Sequence, residues 1–224
     1  MKRNSSHLIS KDTQTDRVVN TLRKYIVLGQ FPPGTHLRVD TLAKKLSISR
    51  VPLREALRQL NAEGLISAYP HRSAIVADIN KVDVVDSFYM LKIVELVAAE
   101  RAAKENHVAT GKLMKERYKT LQAVTNSSSN NGDYLDAHKN FHFSVFEQQP
   151  ETAAALERSA SILWHSCERF IYAAQVGERV QQSDHEHYAL ANAMSNGDVS
   201  AVKAITAMHV EHASESALKG LGFM

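Results

Sequence analysis

Four histidines offer the most specific chemistry in this chain. His138 and His142 stand four residues apart, so on a helix they share one face a turn apart, while His187 and His209 fall on two later helical stretches. An antiparallel helical bundle can aim such side chains at one interior point, where neutral imidazoles suit Zn, Ni, Cu or Fe(II). Spacing alone fits hydrogen-bonded core histidines at least as well. His185 and His212 are neighbouring histidines whose plain reading is solvated surface.

A second set could recognise nucleic acid. Arg50, Arg54 and Arg58 recur at helical spacing just after Ser49, and each guanidinium can hold guanine O6 and N7 with two hydrogen bonds. Thr41 and Ser49 are the hydroxyl side chains nearest this row, and His71 and Arg72 form a further polar pair downstream. On one helix taken alone, such arginines are equally a solvated basic face.

The elements that must position these groups follow from apolar periodicity. Leu37 to Gly64 reads as two short helices around a polar break at Ser47 to Ser49. Leu42, Ala43 and Leu46 line the first helix, and Leu53, Ala56, Leu57 and Leu60 line the second, leaving the arginines outside. Ser49 suits an N-cap whose hydroxyl accepts from a first-turn amide, Pro52 is tolerable only that early in a helix, and Gly64 ends it. This is a helix-turn-helix, with the arginines at the leading end of a recognition helix. Leu65–Tyr69 and Ala74–Asp78 then form a β-hairpin wing with His71 and Arg72 at its tip. Upstream, Thr13 with Asp16 resembles a capping box that opens a helix lined by Val18, Val19, Leu22, Tyr25 and Ile26.

Asn80 with Asp83 marks another helix start, and only helical periodicity follows. Helices are expected at about 81–106, 111–126, 133–148, 151–175, 179–195 and 198–218, with Ile93, Leu96, Val97 and Ala99 as a core stripe of the first. Residues 1–78 hold 13 Lys+Arg against 6 Asp+Glu, whereas 79–224 hold 14 against 18. The division is therefore a loose polar segment at 1–12, a basic DNA-binding winged helix at 13–78, and an acidic all-helical domain at 79–224 for effector binding and dimerisation. The fold class is mainly α with one small wing. The single cysteine, Cys167, excludes an internal disulfide, and no apolar run is long enough for a membrane span or an export signal, so the expected place is the cytoplasm.

The sequence resembles the GntR superfamily of bacterial transcription regulators. The resemblance is carried by Gly29–Leu37 (GQFPPGTHL), Leu42-Ala43, Ser49–Leu57 (SRVPLREAL) and Glu63–Ile66. The helical half resembles the FCD effector-binding domain of the fatty-acid-regulator branch, through Phe141-His142, Glu186-His187 with Leu190, Ala193 and Gly197-Asp198, and His209-Val210. This resemblance implies that His142, His187 and His209 hold a divalent metal beside a small carboxylate effector. Where such domains carry an aspartate ligand, this chain has His138; either it joins the ligands, which makes the site softer and favours Zn, with Ni possible, over Mn, or it stays out and water or effector fills the position. Where they often carry an arginine clamp for the carboxylate, this chain has Leu91, with Lys92 adjacent but about 100° round the helix; either the effector is not an ordinary small carboxylic acid, or the metal holds it, or a group among the effector-binding candidates Lys92, Arg101, Arg169 and Tyr172 does. Ser73 stands where a wing glycine is common, and Val39 where a glutamate is frequent.

The resulting expectation is a DNA-binding transcriptional regulator, a repressor rather than an enzyme, binding an inverted-repeat operator as a homodimer under control of a metal-associated effector, an organic acid. Two alternatives stay open: a metal-dependent hydrolase-like helical domain with an appended DNA-targeting module, and an architectural DNA-binding dimer without ligand. Glu186 and Asp184 are the general-base candidates for the hydrolase.

Overall fold

The computed structural model describes residues 13–67, 73–127, 131–174 and 179–224. The first unit begins with α1 (Gln14–Val27), opened by the expected capping box: the Thr13 hydroxyl accepts from the Asp16 amide, and the Asp16 carboxylate accepts from the Thr13 amide. Helices α2 (Val39–Leu46) and α3 (Arg50–Ala62) follow, separated by Ser47 in the left-handed region at φ 53°. Ser49 occupies the N-cap of α3 in extended conformation, but its side chain makes no capping hydrogen bond. That expectation is corrected: the N-cap position is right, but the hydroxyl does not accept from a first-turn amide. Pro52 falls in the first turn, and Gly64 ends α3 at φ +74°, a conformation that favours glycine.

The wing contains one more strand than the sequence showed. β1 (His36–Leu37), β2 (Ile66–Ser67) and β3 (Ala74–Val76) form an antiparallel sheet in the order β1-β3-β2, with Leu37 opposite Ala74 and Ile66 opposite Val76. The Ser73 hydroxyl lies 2.8 Å from His36 Nδ1, fastening the wing to β1 at the position where a glycine was expected. A buried cluster including Leu22, Ile26, Leu37, Leu53, Leu60, Leu65 and Val76 joins helices and sheet. Burying each such side chain contributes about 1.5–3 kcal/mol. The Arg23 guanidinium grips the Glu63 carboxylate with two hydrogen bonds of 2.9 and 2.7 Å, clamping α1 to the end of α3.

The second unit is a bundle of α4 (Lys81–Glu105), α5 (His107–Asn126), α6 (Asn131–Glu147), α7 (Pro150–Ala173), α8 (Arg179–Ser195) and α9 (Val199–Gly220). Its core is a separate cluster built around Phe141, Phe146, Met114, Trp164 and Met194. Helix α4 faces this core through Val84, Phe88, Leu91, Val94, Ala98 and Ala102, whereas Ile93 and Val97 are exposed. Of the expected stripe, Ala99 is buried and Leu96 half-buried, while Ile93 and Val97 turn outward. Helix α5 starts at His107 and runs through Gly111, where an added Cβ would lie 2.5 Å from Ser195 Cα; the glycine serves a close approach of α5 to α8.

The two units meet along α7. Arg169 on α7 donates to the Ala77 carbonyl just after β3, and Lys24 of α1 pairs with Asp136 of α6 at 2.6 Å. No helix among the described residues is long and apolar enough to cross a membrane.

Candidate metal centre and nucleic-acid interface

Helix α6 supplies His138 and His142 from one face, α8 supplies His187, and α9 supplies His209; all four are buried, and one ligand atom from each falls within 4.8 Å of the others. The Nε2 atoms of His142 and His187 are 3.1 Å apart. A tetrahedral zinc with bonds of about 2.0–2.1 Å spaces its nitrogen ligands by roughly 3.3 Å, so the four imidazoles fit a divalent transition ion with little rearrangement. The surroundings fix which nitrogens face inward. His209 Nδ1 lies 2.7 Å from Glu186 Oε2, and His142 Nδ1 lies 3.5 Å from Glu95 Oε2, leaving the Nε2 atom of each ring to the cluster. Such carboxylates orient a histidine and raise its basicity as a ligand. His138 is set between Tyr134, stacked at 5.5 Å, and Trp164 at 5.1 Å.

Glu186 is held at both ends, because its other oxygen lies 2.7 Å from His212 Nδ1. Asp184 accepts from the Tyr118 hydroxyl at 3.1 Å. Both general-base candidates of the hydrolase reading are thus engaged in hydrogen bonds, Glu186 with His209 and His212 and Asp184 with Tyr118.

Beside the histidines lies a cavity of about 30 Å³, with Phe88, Leu91, Ile171, Val210 and Ala213 as its apolar wall and Glu95, Trp164, Cys167 and Glu168 completing it. None of the four effector candidates lines it. Lys92 pairs with Glu211 at 2.8 Å, Arg169 is committed to Ala77, and Arg101 and Tyr172 lie outside the wall. Glu168 is the group that sequence reasoning missed. Burial pushes its carboxyl up to about 8, opposed by Trp164 and by the Lys139 ammonium. Glu168 also borders a cleft of about 300 Å³ between α1 and helices α6 and α7, with Arg23, Lys24, Asp136, Lys139 and His165. There Lys139 Nζ lies 3.4 Å from His165 Nε2, and His165 Nδ1 lies 3.8 Å from Glu168. Burial, with Lys139 beside it, holds the His165 imidazole down at about 2.

On the opposite unit, Arg50 and Arg54 share a shallow concavity with Thr41, Ser73 and Arg38, the last not singled out by sequence reasoning. Arg50 pairs with Asp40 at 2.8 Å, and Arg58 with Glu55 at 2.6 Å. Arg54 is exposed and makes no ion pair among the described residues. Val51, 78% exposed at the start of α3, is an apolar group suited to a thymine methyl and was also missed. Ser49 is exposed beside it; His71 and Arg72 lie outside the described residues.

Residues 14–76 match the bacterial regulatory proteins of the gntR family, and residues 86–212 match the FCD domain. The chain belongs to the GntR family. This GntR-family chain is similar to an uncharacterized HTH-type transcriptional regulator, YdhC, of Bacillus subtilis, with 31% identity over 55% of each chain. It is also 25% identical to the HTH-type transcriptional repressor RspR of Escherichia coli, over 89% of this chain and 87% of that protein. The match to YdhC, like that to a regulator from Agrobacterium vitis, spans about half the relative's length. Among solved structures, E. coli McbR/YncC shares the fold with a TM-score of 0.77 at 18% identity, covering 92% of this chain and 98% of that one. A transcriptional regulator from Rhodococcus sp. RHA1 does so at 0.68 and 19% identity, covering 92% and 97%. The relatives are transcriptional regulators, and the GntR/FCD pairing is that of a regulator rather than an enzyme.

Proposed function

We propose that this chain is a DNA-binding transcriptional repressor that acts as a homodimer on an inverted-repeat operator, with DNA affinity set by a divalent metal and a small-molecule effector in the helical domain. The observation that carries the reading is the convergence of four buried imidazoles from α6, α8 and α9 in a chain whose α3 presents exposed arginines. His138, His142, His187 and His209 would hold the ion, and four neutral nitrogen donors favour Zn, then Ni, over Mn. Bound there, the ion would supply a Lewis-acidic charge at the edge of the effector cavity.

Arg54 and Arg50 would contact base edges and phosphates in the major groove, with Thr41, Ser49, Arg38 and Val51 beside them and Arg58 at the rim. His71 and Arg72 would add contacts from the wing tip. Dimerisation is supported by an exposed apolar row on α4, namely Val82, Val85, Tyr89, Ile93 and Val97, which a second copy would cover. Repression is supported by the relatives RspR and the E. coli galactonate operon repressor, the latter 36% identical over 37% of this chain. A regulator of this kind works in the cytoplasm, where the DNA is.

The test pairs elemental mass spectrometry with selection of bound DNA from a random pool. Wild-type protein is expected to retain about one metal per chain and to enrich an inverted repeat. The His142→Ala/His187→Ala double variant is expected to lose the metal. Metal retained by that variant would remove the metal centre from the reading, and enrichment of no sequence would remove specific DNA recognition.

A further inference from the structure

On the other side of Glu168 from the histidine cavity lies the cleft of about 300 Å³ where α1 of the winged helix meets α6 and α7. Its size is at the lower end of what small-molecule sites occupy. Three cations line it, and two of them are already neutralised. Arg23 is held by the Glu63 carboxylate through two hydrogen bonds and gives a further N–H to Asn20 Oδ1 at 2.6 Å. Lys24 pairs with Asp136.

Lys139 differs from both. Its side chain is half-buried, yet it makes no ion pair among the described residues. The ammonium reaches only uncharged groups: Ser161 Oγ at 3.2 Å, His165 Nε2 at 3.4 Å, and the Phe143 ring at 4.9 Å. Burial keeps the His165 imidazole neutral, and the Glu168 carboxyl, pushed up to about 8, holds its proton near neutral pH. Two of the three ammonium donors are used, and the third N–H and the whole charge are left over. A partly desolvated cation without a counter-ion is costly unless a bound anion supplies one. The surplus is a single positive charge, so one negative charge balances it, whereas the second charge of a phosphate would face the Asp136 carboxylate. Val27 of α1 and Leu135 of α6, both buried, add an apolar patch suited to a short hydrocarbon body.

We infer that this cleft is a second ligand site, for a small monocarboxylate whose carboxylate pairs with Lys139 and whose apolar body rests on Val27 and Leu135. Because Val27 belongs to the winged helix and Lys139 to the bundle, the bound molecule ties the two units together and couples its own concentration to the placement of α3. The inference goes beyond the proposed function and does not depend on the metal.

Full-length protein is titrated by calorimetry with benzoate, with its uncharged counterpart benzamide and with inorganic phosphate, before and after a chelator has removed any bound metal. Benzoate is expected to bind about tenfold tighter than benzamide or phosphate, and equally in both preparations. Lys139→Gln is expected to lower benzoate affinity about tenfold, to the level of benzamide, while Lys139→Arg retains it. In methyl-labelled wild type, which needs no substitution, benzoate is expected to shift the resonances of Val27 and Leu135. Shifts at Leu91 and Val210 instead, or benzoate binding lost with the metal, place the carboxylate beside the histidines and overturn the inference. Phosphate binding as tightly as benzoate, unchanged benzoate affinity in Lys139→Gln, or no benzoate binding overturns it as well, and in each of these cases the metal centre stands. Benzoate held through Lys139 by a protein that carries no metal supports the inference and removes the metal centre alone.

Discussion

The buried pair formed by His165 and Glu168 gives the protein a specific dependence of stability on pH. The Glu168 carboxyl rises from an ordinary 4.5 to about 8 on folding, so between those values the folded chain holds a proton that the unfolded chain has released, and stability falls as pH rises. The His165 imidazole moves the other way, from 6.5 to about 2, so the unfolded chain gains the proton below 6.5 and stability falls as pH drops. Between about 4.5 and 6.5 the two slopes oppose each other and nearly cancel. From 6.5 to about 8 Glu168 acts alone, and at about 1.4 kcal/mol per unit the loss amounts to about 2 kcal/mol. The assay is urea unfolding of metal-free protein across this range, followed by Trp164 fluorescence, because Trp164 is buried beside Glu168 in the bundle core. Subtracting the Glu168→Gln curve cancels the other groups that titrate here. Wild type should lose about 2 kcal/mol relative to Glu168→Gln between pH 6.5 and 8. A parallel fall in both proteins would refute the assignment of the proton to Glu168.

Three further outcomes follow from the geometry. Arg54→Ala should abolish preference for the selected operator over random DNA, about 1–3 kcal/mol of discrimination by mobility shift, while leaving the oligomeric state in light scattering unchanged; full specificity in that variant would displace α3 from the DNA-reading role. If the proposed dimer forms through α4, Ile93→Asp combined with Val97→Asp should yield a monomer by ultracentrifugation where wild type is dimeric, without loss of helical circular dichroism; a dimer persisting in the variant would move the interface off α4, and a monomeric wild type would remove the dimer from the reading. Gly111→Ala should lower bundle stability by about 1–3 kcal/mol in thermal unfolding, because its Cβ would overlap the Ser195 backbone, and an unchanged melting temperature would mean that α5 and α8 can separate at no cost.

Much of this was legible in the sequence because the helix ends carry their own chemistry. The Thr13–Asp16 box and the Asn80–Asp83 cap fixed two starts, and both reappear as hydrogen bonds. The four histidines were likewise found by spacing and resemblance, and the structure brings them together. What stayed hidden has physical reasons. β1 is two residues held by backbone pairing to β3, too short to leave a pattern. Helix α4 carries apolar residues around much of its circumference, one row in the core and one exposed, and periodicity alone cannot tell which faces inward. The start of α5 was missed because Asn106 makes no side-chain cap and Gly111 reads as an end rather than as a close helix contact. Glu168 gave no signal at all, since an acidic residue between Cys167 and Arg169 looks like an ordinary solvated position until the fold closes over it.

The bond from Arg169 to the Ala77 carbonyl makes α7 a tie rod between two compartments. Glu168 and Arg169 are successive residues of one rigid helix, the first on the cavity wall and the second gripping the chain where it leaves β3. Under the proposed reading, a molecule that wedged α7 away from the histidines would pull on the root of the wing through this one helix, without passing through the rest of the bundle.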